Sequence, residues 1–308
     1  MRLPRPLHRY EHLVFDSGRW AGFEHRPGDI LICTSYKAGT TWTQMLCALL
    51  IFRSADFGVP LTTLSPWLDL KATPIDELLA TYEAQTHRRF IKTHTPLDGL
   101  PYFPDATYIT VGRDPRDVFM SMLNHLGNNN PETQQRIFGA QTAQGPPLPE
   151  DPNEIFRMWL TTPTFEWEED GFPYWSHFRH ARTFWAFRHL PNIHFFHYSD
   201  YQADLPGEMR ILADALDISI GDHEIARLSA AAGFNAMKSR ADELAPDVDH
   251  GMWRSNDAFF HKGTSGQWAG VLSDESLALY ERKKAAQPGM LGEWLEKGSR
   301  VVGKARDL

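Results

Sequence analysis

The stretch "LICTSYKAGTTWTQMLCALL", residues 31–50, joins the end of a strand, a polar loop and the start of a helix. Ile30 to Cys33 make an apolar run of the length a buried strand requires. Small and polar residues from Ser35 to Thr41 interrupt it, after which Trp42, Met45, Leu46, Leu49 and Leu50 recur at helical spacing. A strand that passes through a short loop into a helix N-terminus is suited to hold a phosphate, because the first turn offers free N–H groups and the positive end of the helix dipole. The Walker-type loop, however, places four residues between its glycines and ends Gly-Lys-Ser/Thr. Here Lys37 precedes the only glycine of the stretch, Gly39. The loop predicts an anion site without predicting a nucleoside triphosphate.

Outward from this loop the chain alternates strands and helices. "TPIDELLATYEA" (73–84) predicts a helix with Thr73 as N-cap and Pro74 at its first position. "RFIKTH" (89–94), "ATYITVGR" (106–113) and "NIHFFHY" (192–198) read as strands, like 29–34 before the loop. In "DPRDVFMSMLNHL" (114–126) Asp114 can cap, Pro115 can start and Asp117 can favour the first turn of a helix. Its buried stripe would be Val118, Phe119, Met122, Leu123 and Leu126. Residues 127–153 are rich in Asn, Gln, Pro and Gly without a clear period, as expected of a mobile loop: a lid, a binding loop or a disordered segment. Helices are expected at 153–168 and 174–189, and the pattern after about residue 204 is helical apart from "AFFHKGTSGQW" (258–268). Alternating elements imply an α/β fold: a central, mostly parallel sheet flanked by helices on both faces. No linker divides the chain, so 1–308 reads as a single domain, with 1–28 as a lead-in segment.

Composition narrows the function classes. With 42% hydrophobic and 12% aromatic residues the 308-residue chain can bury a full core. A net charge of −8 disfavours a nucleic-acid partner, so any anion site must be a local basic patch. Cys33 and Cys47 form neither a disulfide framework nor a zinc spacing, which suits a reducing compartment. "MRLPRPLHRYEHLVF" has no apolar core for a signal peptide, and no run approaches the ~18 apolar residues of a membrane span. The expectation is a cytoplasmic protein without a membrane span.

In an open parallel sheet, ligands bind beyond the carboxyl ends of the strands. The first strand ends in Ser35 to Trp42; the second in Lys92 and His94, which share a face because side chains alternate. The third ends in Gly112-Arg113, just before a capped helix, and the fourth in Tyr198. Three cations, a histidine and two helix N-termini therefore converge on one crevice, which suits a polyanion. Arg113 could instead simply pair with Asp114 or Asp117. His177, His180, His189, His194 and His197 crowd one region, but no acidic ligand recurs at metal spacing, and no metal is expected. Phe165, Trp167, Phe172, Tyr174, Trp175 and Phe178 could be core or could line an apolar acceptor pocket.

Taken together these pieces resemble the cytosolic sulfotransferases, which move a sulfuryl group from 3′-phosphoadenosine 5′-phosphosulfate (PAPS) to a hydroxyl or amine. The resemblance spans roughly residues 25 to 270. "YKAGTTW" is similar to the family's 5′-phosphosulfate loop, "KTHTP" to the segment with its base, "RDPRDVFMS" to its 3′-phosphate motif and "HKGTSGQW" to its late glycine motif. The chain departs from the pattern in places. Ser35-Tyr36 stand for Tyr-Pro, Ala38 for serine, His261 for arginine, and Ala232-Gly233-Phe234 for Thr-Ser-Phe. The family's dimerisation motif after the late glycines is absent, which puts that mode of dimer in doubt.

The resemblance implies PAPS as co-substrate and gives each residue a role. Lys37, Ala38, Gly39, Thr40 and Thr41 would hold the 5′-phosphosulfate, and Arg113 and Ser121 the 3′-phosphate. Trp42 and Phe234 would sandwich the adenine. Tyr198 and the late motif, His261, Lys262 and Gly263, would complete the donor site. His94 would be the general base. Lys37 would stabilise the bridging oxygen and Lys92 the sulfuryl oxygens. The acceptor pocket would come from the lead-in, 55–75, 127–175 and 240–258, taking a hydrophobic alcohol, phenol or lipid-like molecule. The alternatives are a phosphotransferase with a degenerate P-loop, with Asp200 as the candidate metal ligand, and a nucleotide-binding protein without catalysis.

Overall fold

The computed structural model describes residues 3–139, 148–246 and 251–308. Its frame is one sheet of four strands, β1 (Ile30–Cys33), β2 (Phe90–Thr93), β3 (Thr107–Gly112) and β4 (Ile193–His197), in the order β2-β1-β3-β4. Every pairing is parallel; β1 matches Ile32 with Lys92 on one side and with Ile109 on the other. Apolar runs without alternation are what a sheet covered on both faces needs, and Ile30, Leu31, Ile32 and Cys33 are all fully buried. Alternate residues serve opposite cores. Ile30 and Ile32 pack with Met45, Leu46 and Leu49 of helix α1 (Thr40–Phe52), while Leu31 and Cys33 pack with Leu78 and Tyr82 of α2 (Ile75–Ala84).

A third core lies under α3 (Pro115–Asn128). There Val118, Phe119 and Met122 meet Phe156 and Trp159 of α5 (Pro152–Thr161), Phe178 of α6 (His177–Trp185) and Trp294. Asp114 caps α3 by accepting the Arg116 N–H, and Pro115 occupies its first turn, as its sequence predicts. Leu123 and Leu126 pack against this core only half-buried.

Several boundaries differ from expectation. Pro74, not Thr73, is the cap residue of α2. Helices expected at 153–168 and 174–189 are shorter, because Pro163 disfavours a helical Thr162 and Ser176 restarts the chain as a cap for α6. Within 127–153, expected to be an unpatterned loop, Pro131–Phe138 forms α4, capped by Asn130 accepting from the N–H groups of Glu132 and Thr133. Only Thr133 of this helix is buried, so no apolar stripe marked it in the sequence. Residues 140–147 of that stretch lie outside the described residues. The lead-in segment contributes Tyr10 and Phe15 to the interior. Among the described residues no helix is long and apolar enough to cross a membrane.

Candidate active site

The cleft lies beyond the carboxyl ends of the strands and holds about 250 Å³. The loop after β1 enters it with two left-handed residues, Lys37 (φ 59°) and Gly39 (φ 105°). Gly39 is the N-cap of α1, and a Cβ there would sit 3.2 Å from the Tyr198 ring, so both its dihedral and its neighbour favour glycine. Alternating backbone of this kind turns N–H groups into an anion-binding concavity. Lys37, Gly39, Thr40, Thr41 and Trp42 line the cleft. Between them Ala38 is fully buried, and its N–H bonds the Ser35 carbonyl at 3.3 Å.

Arg113 enters from the end of β3. Its Nη1 donates to the Lys37 carbonyl at 2.7 Å, its guanidinium lies 4.0 Å from the centre of the Tyr198 ring, and its buried Nε has no partner among the described residues. The carboxylates that could neutralise it are engaged elsewhere. Asp114 pairs with Arg116 at 2.7 Å, and Asp117 accepts the N–H groups of Gly266 (2.8 Å) and Gln267 (3.3 Å). That second contact ties the late glycine stretch to α3 and brings His261, Lys262 and Gly263 to the cleft. Gly263 is left-handed (φ 64°), and a Cβ there would strike the Phe234 ring at 2.3 Å. Trp42 is fixed by its indole N–H to the Ala232 carbonyl (2.9 Å) and meets Tyr198 edge-on.

At the end of β2, His94 Nδ1 is 2.8 Å from the Thr34 carbonyl. A carbonyl only accepts, so Nδ1 carries the proton and Nε2 keeps its lone pair. Trp67 meets the His94 ring edge-on at 4.8 Å and places its face 5.0 Å from the Lys92 ammonium. Burial, then the charge of Lys92, holds His94 well below the ordinary histidine value, so it is neutral. Burial, followed by Arg113 and Lys92, pushes Lys37 down to about 7. The cleft thus holds crowded positive charge that an anion would relieve.

Every other residue expected in the donor site reaches this cleft: Lys92, His94, Arg113, Ser121, Tyr198 and Phe234 all line it. Others were not anticipated. Tyr36, which stands where the resemblance has proline, accepts the Trp159 indole N–H at 2.6 Å and packs edge-on against Tyr174 and Trp175. His125 lies 3.2 Å from Lys37 Nζ; its position one turn beyond Ser121 was the available signal. Asp200 does not line the cleft; its carboxylate accepts the N–H groups of Ser299 and Arg300. Among the described residues no three His, Cys, Asp or Glu are grouped to hold a metal.

Comparison with known proteins adds a second line. Residues 27–283 match the sulfotransferase domain. The chain is 41% identical to a glycolipid sulfotransferase of Mycobacterium bovis, covering 94% of each chain, and equally so to one of Mycobacterium tuberculosis. It is 25% identical to the luciferin sulfotransferase of Photinus pyralis over 84% of this chain and 71% of that one. Among solved structures it is similar in fold to retinol dehydratase in complex with androsterone and the inactive cofactor PAP (TM-score 0.67, 22% identity, covering 89% and 85%). It is likewise similar to mouse sulfotransferase SULT7A1 complexed with PAP (TM-score 0.67, 20% identity, covering 91% and 92%).

Proposed function

The chain belongs to the sulfotransferase family, and from that premise we propose that it transfers the sulfuryl group of PAPS to a hydroxyl of a lipid-like acceptor, using the cleft at the ends of β1, β2 and β3. The observation that carries this is Arg113, Lys37 and Lys92 meeting in one cleft beside a neutral histidine, with Asp114 and Asp117, which follow Arg113 in sequence, engaged elsewhere. The donor's phosphates would occupy the two ends of the site. The loop from Lys37 to Thr41 and the N-terminus of α1 take the 5′-phosphate. Arg113, Ser121 and the late motif with His261, Lys262 and Gly263 take the 3′-phosphate, and Trp42 and Phe234 stack on the adenine.

In the reaction the acceptor oxygen attacks sulfur, the bond from sulfur to the 5′-phosphate oxygen breaks, and 3′-phosphoadenosine 5′-phosphate leaves. The Nε2 lone pair of His94 receives the acceptor's proton. Lys37 meets the charge that grows on the departing bridging oxygen, and Lys92 the sulfuryl oxygens. Burial holds His94 down first and the charges of Lys92 and Lys37 add to it; bound phosphates offset those charges, so the base strengthens when the donor is in place. A sulfuryl group brings one negative charge where a terminal phosphoryl brings about two, which two lysines suffice to meet.

For the acceptor, support comes from the relatives named as glycolipid sulfotransferases and from the aromatic walls Trp67, Tyr174, Trp175, Trp253 and Phe259. Residues 1–308 act as one domain, whose two free, buried cysteines suit the cytoplasm. Calorimetric titration in EDTA with 3′-phosphoadenosine 5′-phosphate and with the same nucleotide lacking the 3′-phosphate tests the reading. Clear preference for the 3′-phosphorylated ligand is expected; equal binding, or binding only with magnesium, would favour a degenerate P-loop phosphotransferase instead.

A further inference from the structure

Helix α3 runs along the cleft from its donor end to its acceptor end. Ser121 and His125 stand one turn apart on a shared face, and Asn129 follows at the C-terminal cap. All three line the cleft, as does Gln134 of α4. The His125 ring is held at 4.6 Å from Trp253, and its Nδ1 receives the Lys37 Nζ hydrogen at 3.2 Å. With Nδ1 accepting, the ring proton is on Nε2. Among the described residues nothing engages Nε2, nor the side-chain amides of Asn129 and Gln134. Polar groups in an otherwise aromatic compartment are costly without partners, and a ligand can supply them.

We propose that His125 is a specificity-determining residue for the acceptor: anchored by Lys37 through Nδ1, it offers Nε2–H to a second oxygen beside the hydroxyl that reacts, with Asn129 and Gln134 continuing the polar stripe. This rests on the sulfotransferase reading and deepens it. A simple alcohol or phenol has one oxygen, which His94 engages, and leaves the stripe unpartnered. A carbohydrate headgroup brings oxygens on neighbouring carbons and apolar C–H faces for the tryptophans. An attached alkyl chain extends along the remaining aromatic wall. The acceptor class is therefore a sugar carried on an apolar chain.

The test compares octyl glucoside with 1-octanol, which share the chain and differ in the headgroup, measuring kcat/KM for sulfuryl transfer from PAPS. The wild type should favour the glucoside by about 100-fold or more, since a site built for hydroxyls strongly rejects an analogue that lacks them. His125→Phe should cut that ratio at least about tenfold, mainly through KM for the glucoside, and His125→Gln, which can accept and donate, should restore most of it. Any effect through Lys37 falls on both acceptors and cancels in the ratio. Nucleotide titration of each variant verifies an intact donor site; should His125→Phe fail to fold, Asn129→Leu should lower the ratio in the same direction. A wild type that prefers octanol, or a ratio unmoved by His125→Phe, overturns the proposal. Nucleotide binding without transfer to either acceptor overturns this inference alone, whereas loss of nucleotide binding as well removes the functional reading beneath it.

Discussion

Lys37 is a buried amine beside Arg113 and Lys92, and burial followed by those charges pushes its pKa down to about 7, near neutrality. Its charged form is favoured by an anion, so donor binding takes up a proton above pH 7. Affinity for 3′-phosphoadenosine 5′-phosphate should therefore fall as pH rises from 6 to 8.5, and Lys37→Met should flatten that slope; calorimetry across this range in two buffers of different ionisation enthalpy measures both. At His94 the expectation is different. Its Nδ1–H is fixed on Thr34 and Nε2 is free to take a proton, so His94→Ala should lower kcat by about 10²–10⁴ while nucleotide affinity stays within about threefold. A comparable loss of nucleotide affinity would mean that His94 holds the donor instead of serving the acceptor. That Lys37, Lys92, His94 and Arg113 stand together was readable from their places at strand ends. The roles of Tyr36 and His125 were not, because each depends on a partner far along the chain, Trp159 and Lys37 respectively.

Elements bring the proposed donor site together through a few contacts distant in sequence. Asp117 stands in the first turn of its own helix, as expected, and it also receives two N–H groups from the late glycine stretch. Periodicity could place α3 but could not reveal that tie, which joins residues about 150 apart. Gly263 is the other half of the arrangement, since Phe234 packs where a side chain would be. Gly263→Ala combines a left-handed backbone, which costs an L-residue about 1–2 kcal/mol, with a collision against the Phe234 ring. The expected result is at least a tenfold loss of affinity for the 3′-phosphorylated nucleotide. Alanine at Gly270, also left-handed but with nothing within 4 Å, bears only the backbone strain and should leave that affinity nearly unchanged. The helix α4 illustrates the converse limit of sequence reading: with one buried residue it lacks the stripe by which helices are recognised.

Across the whole molecule, chemistry and stability occupy opposite ends of the sheet. At the amino ends of β1 and β2, Asp29 and Arg89 form a buried pair: Arg89 Nε donates to Asp29 Oδ1 at 2.8 Å and Nη2 to Oδ2 at 2.5 Å, with both side chains no more than 3% exposed. Phe23 of the lead-in covers the guanidinium at 4.8 Å, so this pair also binds the N-terminal segment to the sheet. Removing one partner of a buried pair leaves the other uncompensated, at a cost of about 3–5 kcal/mol. Asp29→Ala should accordingly shift the midpoint of urea unfolding markedly downward, while the fraction that remains folded binds 3′-phosphoadenosine 5′-phosphate as the wild type does. The separation follows from the parallel sheet itself, in which ligands gather where the strands end and the ends where they begin are left to hold the fold. If Asp29→Ala weakened nucleotide binding in step with stability, the two ends would be energetically coupled through β1. The anion loop would then owe its shape to the packing of the strand behind it as well as to its own left-handed residues.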